Sequence, residues 1–131
     1  DENNYNVFAI DGIGRYSIWT REAGNWRELR NVDGSNWTAD DNVFPVGEQN
    51  TLIVEIDGNQ INGYINSQLV TTVVDDTFMS GQVGIYVATP PNGRANVLVD
   101  NYQVAEADFP FANSMTGNPE ENGPNLDLSG N

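Results

Sequence analysis

The sequence contains no cysteine, no histidine and no lysine. The first absence excludes disulfides and thiol chemistry, and it is neutral on compartment. Without cysteine or histidine, a structural zinc ion would have only carboxylates to hold it, which is a poor donor set for that metal. Without histidine or lysine, a serine nucleophile has no ordinary base beside it. Carboxylate-pair chemistry is the main enzymatic route left open. Positive charge is scarce. All five basic residues are arginine (Arg15, Arg21, Arg27, Arg30 and Arg94) against 19 acidic ones, for a net charge of −14. Such a chain repels phosphate backbones, so nucleic acid is not an expected partner. It suits a salty or extracellular setting, and its oxygens favour a hard cation such as calcium. Long hydrophobic runs are missing as well. The longest purely apolar one is Val7-Phe8-Ala9-Ile10, far short of a membrane span. The first residues, Asp-Glu-Asn-Asn, carry no signal-peptide pattern, so the chain is expected to be a mature product or a cut fragment.

What is present is β-patterning. At 131 residues the chain suits one domain, and 38% hydrophobic residues imply a thin core, as between two packed sheets. Residues 5–10 alternate, with Val7 and Ala9 on one face and Phe8 and Ile10 on the other. Residues 15–19 return after Asp11-Gly12-Ile13-Gly14, with Tyr16 and Ile18 opposed to Arg15, Ser17 and Trp19. A turn through Gly24 leads to a third strand over 26–29, with Trp26 and Glu28 on one face. Residues 31–42 read as a polar loop that carries Trp37 and the sequon Asn36-Trp37-Thr38. Pro45-Val46-Gly47 reads as a turn. The richest stretch is 52–104. Leu52, Val54 and Ile56 share a face, Asp57-Gly58-Asn59 closes a hairpin, and Ile61, Gly63 and Ile65 point inward with Tyr64 outward. Asn66-Ser67 turns into a strand over 69–74. Further strands are expected at 83–87 and 97–104. No segment has a helical period, and strands at this spacing indicate a sandwich or barrel. From residue 107 onward Asn, Gly, Pro and Glu dominate, which predicts a sandwich domain over 1–106 and a linker-like tail or docking arm over 107–131. The tail's spaced anchors are Phe109, Phe111, Met115, Leu126 and Leu128.

Several motifs of this stretch occur together: Gly58-Asn59-Gln60-Ile61, Tyr64-Ile65-Asn66-Ser67-Gln68-Leu69-Val70, Asp75-Asp76-Thr77-Phe78 followed by Ser80-Gly81-Gln82-Val83-Gly84-Ile85-Tyr86, and Val99-Asp100-Asn101-Tyr102-Gln103-Val104. In combination they resemble the C-terminal half of concanavalin A-like lectin and glucanase jelly rolls, including laminin-G-like and 3-keto-disaccharide-hydrolase-like domains. The front hairpin, with Gly12-x-Gly14-Arg15-Tyr16-Ser17-Ile18-Trp19, is similar to the middle of those domains. The resemblance covers about residues 4–105. It implies an all-β, two-sheet antiparallel jelly-roll sandwich without significant helix. Two departures stand out. Asn66-Ser67 replaces the family's Asn-Gly, which places a serine where positive φ is needed. The family's opening strands have no counterpart before Tyr5, so an edge is left to be completed by the tail or by another chain.

The resemblance also implies function: a non-catalytic extracellular or cell-surface module that binds carbohydrate or another surface protein, lectin-like in character. The alternative is a structural subunit of a surface assembly, joined through edge strands and the tail. A second alternative is a glycoside-active hydrolase. For that, family-16-type glycosidases carry Glu-x-Asp-x-x-Glu, and the nearest match, Glu55-Ile56-Asp57-Gly58-Asn59-Gln60, ends in glutamine. An enzyme is therefore the less favoured reading. For a sugar, aromatic rings supply flat apolar faces. The candidates are Tyr64, Tyr86, Trp26, Trp37 and Trp19, with Arg94 and Arg21 as hydrogen-bonding partners. Tyr64 and Tyr86 are preferred because alternation turns them outward, whereas the resemblance gives Trp26 and Trp37 packing roles. Structural calcium is the one cofactor in view. The resemblance implies Asp100 as its ligand, although accepting backbone hydrogen bonds at a sheet edge is the favoured account of that residue, and Asp75, Asp76 and Asp40-Asp41 are weaker loop candidates.

Overall fold

The computed structural model describes residues 1–30, 34–78, 80–89 and 91–106. They divide into two units, Asp1–Gln82 and Val83–Asn131. The expected tail anchors Phe109, Phe111, Met115, Leu126 and Leu128 lie outside the described residues.

The first unit is all-β. Strands β1 (Tyr5–Ile10), β2 (Arg15–Glu22), β3 (Asn25–Glu28) and β4 (Thr38–Ala39) form one antiparallel sheet. β1 lies along one edge of β2. The other edge of β2 is shared: β3 pairs with Trp19–Glu22 and β4 with Arg15 and Tyr16. Strands β5 (Leu52–Asp57), β6 (Gln60–Ile65) and β7 (Gln68–Val74) form a second, three-stranded meander. The described residues contain no helix, so none is long and apolar enough to cross a membrane.

Turn chemistry sets the registers. Gly58 takes φ +62° in the two-residue turn that places Asp57 opposite Gln60. Asn66 and Ser67 both take positive φ (51° and 73°) between Ile65 and Gln68, so the serine adopts the conformation that glycine usually supplies there. Asn66 also clasps the preceding loop. Its Nδ2 donates to the Asn42 carbonyl at 2.6 Å and to Asn50 Oδ1 at 2.8 Å, while its Oδ1 accepts from the Thr51 amide at 2.8 Å. At the tip of the β2–β3 hairpin, Ala23 and Gly24 take φ 50° and 82°. The alanine is held there by its amide donating to Asn4 Oδ1 at 2.9 Å.

Alternation then decides burial. Tyr16, Ile65 and Val43 form one buried cluster with Phe8, Ile10 and Val70 against it. Ile18, Ile61 and Val73 form a second with Phe8 and Leu29. The two sheets therefore pack face to face, and Phe8 belongs to both clusters. Gly63 is required at this contact, because a Cβ there would stand 2.8 Å from two Phe8 ring carbons. A register shift between Gly63 and Tyr64 leaves Val70 as an extra residue in β7 and turns it to the core. β5 is different. Leu52, Val54 and Ile56 pair with Ile65, Gly63 and Ile61 on the core-facing side, yet they remain 42, 47 and 66% exposed.

In the second unit, the described residues 83–89 and 91–106 carry no strand. The alternation of 83–87 and 97–104 predicts two. Alternation only prepares a segment for a ladder, and without a paired neighbour the strand does not exist. Val83, Ile85, Val87, Val97 and Val99 accordingly stay exposed. Conversely, the short β4 lies within the 31–42 stretch that reads as loop, fixed by only two pairs with β2.

Candidate functional site

The outer face of the second sheet is built from the β5 and β6 residues that alternate out of the core. The turn that sets Asp57 opposite Gln60 also sets Glu55 opposite Asn62 and Ile53 opposite Tyr64. Thr72 of β7 stands opposite Asn62. These side chains form one network. Asn62 Nδ2 donates to Glu55 Oε1 at 2.7 Å, and Tyr64 OH donates to the same oxygen at 3.4 Å. Thr72 Oγ1 and Gln60 Nε2 donate to Asn62 Oδ1 at 2.8 and 3.3 Å. The Asn62 amide is thus fixed from both ends. Partial burial raises the Tyr64 pKa, and the Glu55 charge and hydrogen bond raise it further, so the phenol remains a protonated donor at neutral pH.

The outer face of the first sheet is aromatic. Tyr5, Arg21 and Trp26 make one cross-strand row over β1, β2 and β3, with Val7, Trp19 and Glu28 in the next. Trp26 meets Tyr5 edge-on at 5.7 Å and Trp19 at 6.0 Å, and the Arg21 guanidinium lies 5.3 Å from its ring centre. It is nonetheless 42% exposed. Trp37 sits elsewhere, beside Arg15 at 5.4 Å. Arg15 and Arg21 are separated by about 20 Å of extended strand, so the structure does not bring Trp26 and Trp37 into one site. Ser17, on the same outer face, is buried by the loop before β4 and donates to the Asn36 carbonyl.

Around the β2–β3 turn lies a depression of about 480 Å³ lined by Thr20, Glu22, Ala23, Asn25, Trp26 and Arg27. Thr20 is fully buried, and its Oγ1 has no hydrogen-bond partner among the described residues. A second depression, of about 430 Å³, includes Asp40 and Asp41. There the Asp40 carboxylate accepts from the Asn42 amide at 2.8 Å.

Asp75 is buried and pairs with Arg27 Nη2 at 3.3 Å and Thr77 Oγ1 at 2.8 Å. Asp76 is exposed. Tyr86, Arg94 and Asp100 belong to the second unit and are exposed there. Among the described residues, no three of Asp, Glu, His and Cys gather as a metal-holding group. Sequence reasoning singled out Tyr64 but not its partners Asn62 and Thr72, nor Thr20 and Asn25. The Glu55–Asn62 pairing was available in principle, since a two-residue turn at 58–59 puts residues 55 and 62 opposite each other. Comparison with protein-family models, curated proteins and solved structures finds no match for the chain.

Proposed function

We propose that this chain is a non-catalytic extracellular module that binds carbohydrate, on the outer face of its second sheet. The observation that carries this reading is the Tyr64–Glu55–Asn62–Thr72 network. It presents an aromatic ring next to hydrogen-bonding groups that are already oriented. A sugar needs both: an apolar face for its C–H groups, and donors and acceptors that do not have to be ordered on binding. The jelly-roll resemblance supports the same reading, as does a net charge unsuited to nucleic acid. A glycan panel, read with and without added calcium, tests it. At least one neutral glycan is expected to bind, and Tyr64→Ala is expected to weaken that binding about tenfold, or roughly 1.4 kcal/mol. A panel without hits in both conditions would sink the idea.

A second reading rests on β5. Its core-facing side is exposed and, among the described residues, its far edge has no strand beside it, which suits a structural subunit that adds a neighbour's strand in a surface assembly. Under this reading the chain self-associates at high concentration, and Val54→Lys restores a monomer in light scattering. A wild-type protein that stays monodisperse and monomeric would remove the reading.

A further inference from the structure

We infer that β5 pairs antiparallel with β5 of a second copy of this chain, in a register centred on Val54, and so closes a twofold dimer. This rests on the second reading above and deepens it, because it names the partner strand and its register. The first observation is the edge itself. Leu52–Asp57 is a regular strand with no bulge, no proline and no lysine, and among the described residues no strand lies on its far side. Natural edges are commonly blunted by one of those devices. The opposite edge of the same sheet has one, the extra residue Val70 in β7. β5 has none of them, and Leu52, Val54 and Ile56 stay exposed along it.

The second observation is the phase of the backbone. Residues that flank a two-residue turn form a hydrogen-bonded pair, and such pairs alternate along an antiparallel ladder. Asp57 and Gln60 flank the turn, and at the other end of the strand the Asn66 amide donates to the Thr51 carbonyl at 2.9 Å. Residues 51, 53, 55 and 57 therefore turn their backbone groups towards β6. Leu52, Val54 and Ile56 turn theirs to the free edge. A second β5 matches that edge in kind, because the same three residues carry the outward backbone groups and the exposed apolar side chains.

Charge and strand length then select the register. The in-phase registers that pair two or more of these residues are centred on Ile53, Val54 or Glu55. Centred on Val54, that residue faces the partner's Val54, while Leu52 and Ile56 face the partner's Ile56 and the partner's Leu52. On the outer face Glu55 lies opposite the partner's Ile53 and Asp57 opposite the partner's Thr51, so no carboxylate meets another. Centring on Glu55 sets two carboxylates directly against each other, which is destabilising. Centring on Ile53 sets Ile56 opposite the partner's Asn50, which lies outside the strand. Both copies use the same edge, so the pairing is isologous and stops at two. The outer faces of the two second sheets then form one surface that carries the Tyr64–Glu55–Asn62–Thr72 network twice. The net charge of −14 opposes the approach of a second copy, and salt screens that repulsion.

The chain has no cysteine, so introduced thiols report the register directly. Sedimentation of the wild-type protein in about 150 mM sodium chloride is expected to show a dimer that grows no further with concentration. Ile53→Cys and Glu55→Cys copies, one of them labelled with nitrogen-15, are then mixed and oxidised. Residues directly opposite each other lie within disulfide reach, and residues displaced along the strand do not. The mixed linkage between positions 53 and 55, identified by mass, is expected to exceed the matching linkages at least about fivefold. Thr51→Cys mixed with Asp57→Cys, which leaves Glu55 in place, is expected to behave in the same way. A wild-type chain that stays monomeric removes the reading and the inference together; another segment of the same chain seated on this edge would give that result. Association into open oligomers, or a dimer in which matching positions link as readily as the mixed pairs, leaves the reading standing and overturns the inference.

Discussion

Single side chains set the limits of this fold. Gly63 has no side chain because the Phe8 ring from the facing sheet occupies its place, so Gly63→Ala requires a 2.8 Å contact to relax. Its expected cost is about 1–3 kcal/mol in urea unfolding. Ala23 is the opposite case. An L-residue at φ 50° is strained by roughly 1 kcal/mol, so Ala23→Gly is expected to raise stability by about 0.5–1 kcal/mol, measured by the same method. Tyr16 gives a pH signature. Burial raises its phenol pKa above the usual value, Asp40 and Glu28 add to the rise, and Arg30 and a Thr38 hydrogen bond oppose it. The folded state therefore holds this proton more tightly than the unfolded chain. Its contribution is complete below the ordinary tyrosine range and is lost as pH rises through the raised value. Unfolding midpoints are expected to fall above about pH 10, and Tyr16→Phe, though it also loses the hydroxyl's bond to the Val70 carbonyl, is expected to flatten that fall.

At the scale of elements, the hairpins were the most legible part of the chain. Val7/Phe8, Ser17/Ile18 and Tyr64/Ile65 alternate as written, and each turn carries residues that tolerate positive φ. The legibility ended where pairing is decided by distant residues. β4 exists only because Arg15 and Tyr16 of β2 have a free edge there. Arg27 and Asp75 are 48 positions apart, and no local rule joins them. Residues 83–87 have the pattern of a strand, and the described structure has no strand there. Of the candidate site, Tyr64 was readable from alternation, whereas Thr20 reads in sequence as the start of the turn through Gly24, and its unmet hydroxyl appears only once the packing is known. β5 carries a prediction of its own. Ile65→Ala is expected to cost about 2–5 kcal/mol. Ile56→Ala, on the same face but 66% exposed, is expected to cost well under about 1 kcal/mol in dilute solution.

For the whole molecule, charge is the dominant fact. Of the arginines, Arg15, Arg27 and Arg30 are engaged with Asp11, Asp75 and Glu28, which leaves a large excess of unmatched carboxylates. Self-repulsion at −14 is screened by salt, so the thermal midpoint is expected to rise between about 10 and 150 mM sodium chloride, over which the Debye length shortens from roughly 30 to 8 Å. One feature of the second sheet bears on the chain's history. The extra residue Val70 switches which parity of β7 faces the core: Thr71 and Val73 follow one rule and Leu69 the other. Loss of one residue at this point would merely regularise the ladder, whereas loss of one residue further along would turn Val73 out to solvent. Length variation among descendants of this chain is therefore channelled to a single permissive position in that strand, and the other positions of β7 can vary in identity but not in number.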